Sequence, residues 1–219
     1  MKKPWYKKWW IWLIAVVVIF IGLSSLGSSS SGSTNSKSNN TSSKSSSKKV
    51  EKNTAVAKNL NAGTFKVGAD INPGRYMVKA TSGSGNFTNR SGSINVILGT
   101  SVDNSLGQVD SYTVTLVKGE QIKLEGIESA SFTPTPSKYS YKTELSAGSW
   151  TVGKDIKPGR YDITATQGSG NIDTNDGDVN EILGTSKDSE TGQVTKVTAT
   201  LHKGQVLNTS LEGIKLTAK

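Results

Sequence analysis

The sequence predicts an all-β protein: two tandem small β-sandwich-like domains that follow an N-terminal transmembrane helix and a disordered linker. Three observations carry this prediction. The stretch Val67-Gly68-Ala69-Asp70-Ile71-Asn72-Pro73-Gly74-Arg75-Tyr76 returns 85 residues later as Val152-Gly153-Lys154-Asp155-Ile156-Lys157-Pro158-Gly159-Arg160-Tyr161. An apolar run spans residues 9–26, and a Ser-rich stretch separates it from the repeats. The repeat register holds without a gap from Gly63/Gly148 to Lys123/Asn208, with roughly half of the positions identical, so one structural unit is present twice.

Residues 1–8 form a basic and aromatic head in which Lys2, Lys3, Lys7 and Lys8 precede the apolar run. Eighteen apolar residues reach the lower limit for a bilayer-spanning helix. No positive charge follows until Lys37, so the positive-inside rule puts the head in the cytoplasm and the remainder outside. Trp5, Trp9, Trp10 and Trp12 cluster at the cytoplasmic end, as an interfacial aromatic belt does. The run exceeds the usual length of a signal-peptide core and reads as an uncleaved anchor. A cleaved signal peptide is the alternative, with Ser25 and Gly27 as small residues near a cleavage point. Residues 27–58 are Ser, Gly, Asn and Thr with scattered Lys, too polar to offset chain entropy. They read as a disordered tether with an r.m.s. span of about 30 Å, ending in a weak helical turn over residues 50–60.

Domain 1 covers residues 59–133, a Pro-containing linker residues 134–144, and domain 2 residues 145–219. Thr64-Phe65-Lys66-Val67 and Ser149-Trp150-Thr151-Val152 alternate polar with apolar residues, the period of a half-buried strand. Asn72-Pro73-Gly74 and Lys157-Pro158-Gly159 follow as turns. Strands then start at Arg75-Tyr76 and Arg160-Tyr161 and end in turns at Gly83-Ser84-Gly85 and Gly168-Ser169-Gly170. Apolar segments at residues 94–98 and 179–183 lead into Gly-containing loops. Each unit closes with a predicted hairpin, residues 109–116 with 121–124 around Lys118-Gly119, and 194–201 with 206–207 around Lys203-Gly204. Beyond it, Leu124-Glu125-Gly126-Ile127 aligns with Leu211-Glu212-Gly213-Ile214 once two residues are inserted near Asn208.

These residues resemble an uncharacterised class of modules from Gram-positive bacteria. Their signatures are V-G-x-D-I-x-P-G-x-Y and a following G-S-G-N, here at Gly83-Ser84-Gly85-Asn86 and Gly168-Ser169-Gly170-Asn171. The head Lys2-Lys3-Pro4-Trp5-Tyr6-Lys7-Lys8-Trp9-Trp10 resembles that of short membrane-anchored proteins of Firmicutes, lactic acid bacteria among them. The resemblance implies an exported β module tethered at the cell surface and carries no established activity.

Charge and composition exclude several chemistries. The first 58 residues hold ten Lys against Glu51 alone, which accounts for the whole net charge of +9. The repeats are therefore neutral and lack the basic surface that nucleic acid requires. With no cysteine, disulfides and thiolate chemistry are excluded. His202 is the only histidine, and Val117 stands at its place in the first copy, so the usual nucleophile–base pairs cannot be built. The sequence assigns no catalytic residue, no cofactor and no metal site. The acidic residues 173–181 offer oxygens suited to Ca²⁺. They miss the EF-hand pattern at Gly177 and face Thr88, Arg90, Ser91 and Ser93 in the first copy, which leaves calcium open against a polar turn. The Gly83-Ser84-Gly85 and Gly168-Ser169-Gly170 segments lack the following helix of a phosphate loop.

A ligand site used by both copies draws on polar residues written twice: Arg75/Arg160, Asn86/Asn171, Asn95/Asn180 and Gln108/Gln193. We take Arg75, Arg160, Asn86 and Asn171 as the candidate ligand-binding set, against the alternative that they cap turns and strands. Asp70/Asp155, Asp103/Asp188 and Glu125/Glu212 also recur. Phe65 and Trp150 alternate with Val67 and Val152 and read as core. The functional expectation is a single-pass cell-membrane protein whose extracellular modules bind an envelope or host-surface component without catalysis. Its expected partners are the membrane, through the N-terminal helix, and a cell-wall glycan or surface protein; nucleic acid is excluded. The alternative is a structural or accessory envelope protein with no ligand of its own.

Overall fold

The computed structural model describes residues 53–136 and 139–219. The predicted head, transmembrane helix and most of the tether lie outside the described residues, as do Ser137 and Lys138 of the linker. Among the described residues no helix is long and apolar enough to cross a membrane. The described residues belong to one compact unit and are all-β.

The first repeat contains β1 (Lys58–Lys66), β2 (Gly74–Asn89), β3 (Asn95–Gly99), β4 (Gln108–Val109), β5 (Tyr112–Leu116) and β6 (Gln121–Pro134). The second contains β7 (Glu144–Leu145), β8 (Gly148–Thr151), β9 (Gly159–Gln167), β10 (Ser169–Thr174), β11 (Asn180–Gly184), β12 (Lys196–Leu201), β13 (Val206–Thr209) and β14 (Gly213–Ala218). In the first repeat β1, β2 and β6 are long and pass through register shifts at Asn61/Gly63 and between Ala80 and Asn86. Each of the three therefore serves two half-sheets: one completed by β5, the other by β3 and β4. The second repeat builds the same halves from shorter strands, in the orders β12-β9-β14-β7 and β8-β13-β10-β11. Apolar residues at alternate positions face inward, giving separate cores around Tyr76, Phe87 and Phe132 and around Trp150, Ile163 and Ile172.

The doubled motif is a folding device. Val67 and Ile71, like Val152 and Ile156, are buried and bridge each other across the turn. Asp70 Oδ2 accepts the Lys66 amide at 2.7 Å, and Asp155 Oδ2 accepts that of Thr151 at 2.9 Å, closing each loop. Gly68 and Gly153 sit at φ of 94° and 91°, a region that favours glycine. After the Pro-Gly turn, the Tyr76 and Tyr161 hydroxyls donate back to the carbonyls of Asn72 and Lys157, at 2.8 and 2.7 Å. Two further recurring carboxylates, Asp103 and Asp188, close loops in the same way. Hydrogen bonds from Ser105 hold the Asp103 carboxyl below its ordinary value, and those from Glu190 and Thr191 do so for Asp188.

Several expectations change. Residues 53–57, assigned to the tether, lie along the first repeat: Asn53 Nδ2 donates to the carbonyls of Arg75 and Thr135, and Thr54 Oγ1 to that of Pro73. Residues 58–60 open β1 where a helical turn was expected. The Gly83-Ser84-Gly85 segment bends the continuous strand β2, whereas the copy breaks between β9 and β10 at Gly168. The closing hairpins do not form. β5 pairs with β2, and β12 with β9, while the turns at residues 117–120 and 202–205 carry the chain across to the other half-sheet. Val114 and Leu116 thereby enter the core from one half-sheet and Ile122 and Leu124 from the other. The late alignment also changes. Ala80 pairs with Ala130 as Ala165 pairs with Ile214, so β14 is offset by 84 residues from β6 and the two-residue insertion disappears. Glu212 then corresponds to Glu128, and Gln167 and Ser82 bond these two carboxylates at equivalent positions.

Phe87 is fully buried, with Phe132 and Tyr112 edge-on to its ring at 5.9 and 6.3 Å. Phe87→Ala is expected to cost about 3–5 kcal/mol in a denaturant titration. Asp103 and Asp188 bind protons more readily unfolded than folded. Their contribution to stability is present above about pH 4 and is lost as pH falls through their lower folded-state values. Thermal unfolding of Asp103→Asn/Asp188→Asn is expected to lose less on acidification across that window than the parent chain does.

Candidate functional site

The two repeats are joined edge to edge. β5 lies at the margin of the first repeat, and Thr113 pairs in parallel with Gly148 of β8, its amide donating to the Ala147 carbonyl at 3.1 Å. A Cβ on Gly148 would fall 2.6 Å from the Thr113 carbonyl oxygen, so only glycine admits this approach. Ala147 belongs by chain position to the second repeat and by packing to the core of the first.

Arg75 seals the joint. The β2–β5 register sets it opposite Thr115, whose Oγ1 accepts from Arg75 Nη1 at 3.1 Å. Nη1 also reaches the Ser149 carbonyl at 3.5 Å, and the guanidinium lies 5.1 Å from the Trp150 ring and 5.8 Å from that of Tyr139. Arg75 Nη2 stands 3.2 Å from Asp155 Oδ2, with side chains only 6% and 5% exposed. This contact is an ion pair without hydrogen-bond alignment, since Nη2 has no hydrogen-bond acceptor. Asp155 therefore serves its own turn and the neighbouring repeat together.

Beside the joint lies a polar cleft of about 280 Å³ to which both repeats contribute. Ser93, Asn95 and Tyr112 line it from the first repeat. Asn171, Asp173, Asn180 and Asn208 line it from the second. Asn208 Nδ2 donates to Asp173 Oδ2 at 2.8 Å, which fixes the carboxylate. The Tyr112 hydroxyl lies 3.2 Å from Ser149 Oγ, and burial pushes its pKa up to about 12, so it stays protonated. An adjoining cavity of about 320 Å³ shares Ser93 and Asn208 and is apolar where Ile94, Val114 and Val206 line it. Together they form a groove with four amides and a carboxylate on one part and aliphatic surface on the other.

Of the four candidate residues only Asn171 lines this cleft. Asn86, its counterpart, is exposed on β2; Arg75 is buried in the joint; Arg160 is exposed on β9. The acidic residues 173–181 are spread over two strands, β10 and β11, and the turn between them. Asp176 Oδ2 and Asp178 Oδ2 both accept from the buried Gln205 amide, at 2.5 and 3.1 Å. Among the described residues, no three His, Asp or Glu side chains form a group able to hold a metal ion. His202 is exposed at the turn after β12, where its amide donates to Gln205 Oε1. Asn95 and Asn180 were marked by their recurrence. Asn208 and Asp173 carry no such signal, because Lys123 and Thr88 occupy their places in the first copy.

No protein-family model, no curated protein and no solved structure matches this chain.

Removing Arg75 strands Asp155 as an unpaired buried charge, and such losses cost about 3–5 kcal/mol. Arg75→Ala is expected to lower the unfolding free energy by that amount, and Arg160→Ala to leave it within about 0.5 kcal/mol. Equal effects from the two would count against the joint as described.

Proposed function

We propose that this is a membrane-tethered extracellular protein of a Gram-positive cell, whose two β repeats together hold an envelope or host-surface component without catalysis. The observation that carries the reading is the convergence of four asparagines and Asp173 on one cleft built by both repeats. Planar amides and carboxylates pair with adjacent sugar hydroxyls, and the neighbouring aliphatic wall suits the CH face of a sugar ring, so we assign a glycan as the ligand class. The volume sits at the small end of ligand pockets and suits one sugar unit or the end of a longer chain. The tether and cell-surface address rest on the basic head, the apolar run and the Ser-rich stretch. A non-catalytic role is supported by the lack of cysteine and the single histidine.

A second reading, a structural envelope protein without a ligand, is favoured by one observation: the recurring positions of the doubled motif are used in folding each repeat.

The full chain is tested for retention on purified cell-wall fractions and on a glycan array, beside Asn171→Ala and Asp173→Asn, which keeps an oxygen for the Asn208 amide. Retention of the parent chain, reduced about tenfold in Asp173→Asn and several-fold in Asn171→Ala with melting unchanged, is the expected outcome; a hydrogen bond to a charged group is worth about 1.5–3 kcal/mol and a neutral one about 0.5–1.5 kcal/mol. Failure of the parent chain to bind any fraction or glycan overturns this reading and leaves the structural one.

A further inference from the structure

The joint between the repeats uses different surfaces on its two sides. The first repeat contributes the outer edge of β5 with Arg75, and the second contributes the outer edge of β8 with Trp150 and Asp155. Because both repeats share one fold, each carries both surfaces, and among the described residues one of each is unused. On the second repeat the unused edge is β12, which terminates its sheet, with Arg160 and Thr200 in the places of Arg75 and Thr115. On the first repeat it is β1, at the margin of the continuous sheet, with Ala62, Gly63 and Phe65 in the places of Ala147, Gly148 and Trp150. Asp70 stands for Asp155.

Burial shows what the joint covers. Arg75 and Asp155 are buried, whereas Arg160 and Asp70 are exposed. Tyr112 and Val114 on β5 are buried, whereas Val197 and Ala199 on β12 are half-buried. Ala147 is buried, and Ala62 is exposed. Among the described residues Arg160 makes no ion pair. Both free edges carry charge only at strand ends, Lys58 and Lys66 on β1 and Lys196 on β12, which leaves the stretches between and beyond them unguarded.

We propose that these two surfaces bind each other between copies of this chain, so that β12 of one copy pairs in parallel with β1 of the next and Arg160 meets Asp70 and Phe65. The occupant is a second copy because the complementary surface, in shape and charge, is already present at the other end of the same chain. Such a contact is heterologous and leaves a free edge at each end, so it propagates into a row of repeats and not a closed pair. The contact between copies is weaker than the internal joint. Phe65 replaces Trp150 and Val197 replaces Tyr112, and Thr54 and Ala57 stand where Tyr139 and Lys142 add cation–ring contacts inside the chain. Linkage by the chain itself also favours the internal joint.

The chain has no cysteine, so single thiols report the contact. Full-length chains carrying Thr64→Cys and Ala199→Cys, at the places of Ser149 and Val114, which share one face of the joint, are mixed in mild detergent and treated with a short bis-maleimide. Cross-linked heterodimer from the mixture, with little product from either variant alone, is the expected result. Arg160→Glu added to the Ala199→Cys chain is expected to lower the yield at least tenfold. Asp70→Asn in the partner, which keeps an oxygen for the Lys66 amide, does likewise, while Arg90→Glu leaves the yield unchanged. A mixture that cross-links no better than each variant alone overturns the proposal, as does a yield indifferent to Arg160→Glu. Efficient product from Thr64→Cys alone also overturns it, because that marks a symmetric contact.

Discussion

A buried guanidinium decides how this protein is assembled. Arg75 cannot leave water without an opposing charge, because an uncompensated ion in the interior costs several kcal/mol. Its compensation comes from the other repeat: Asp155 supplies the charge, Ser149 a carbonyl and Trp150 a ring face. Position follows from that requirement. Once Arg75 is committed to Asp155, β5 must approach β8 closely enough for Thr113 and Gly148 to pair, and the polar cleft between the repeats takes its walls from the same approach.

One arginine and its copy thus live in different physical states. Both follow the same Pro-Gly turn and start the same strand, yet Arg75 is enclosed and Arg160 faces solvent. The difference lies in the neighbour, since β5 has β8 beside it and β12 ends its sheet. The same holds for Asp70 and Asp155, which close identical loops while only one bears an ion pair. Tandem repetition therefore brings the Arg of one repeat to the Asp of the other and leaves the remaining Arg and Asp exposed.

Much of the local structure was legible along the chain. The strand at Arg75-Tyr76, the Pro-Gly turns and the alternation around Phe65 and Trp150 all lie where period and turn chemistry indicate. The misplaced hairpins show where such reading ends. Residues 109–116 and 121–124 alternate well and are joined by a tight turn, which satisfies a hairpin and a crossing between half-sheets equally. Burial of Val114 and Ile122 in opposed half-sheets selects the crossing. The Leu-Glu-Gly-Ile match misled for a related reason: four similar letters outweighed a one-residue difference at a bend, whereas pairing with β2 and β9 sets the true offset. In the cleft, Asn95, Asn171 and Asn180 carried the signal of recurrence, and Asp173 and Asn208 carried none.

The all-β class, the two copies and the turn that opens each one follow from the amino-acid order, because they depend on residues close together in the chain: a Pro that sets φ, a Gly that admits positive φ, and side chains alternating across a pleat. Which edges meet, why Arg75 is enclosed while Arg160 is not, and how amides from both repeats come to share one cleft emerge from the folded chain. These outcomes depend on strands far apart in sequence, and a residue's burial is set by what packs against it.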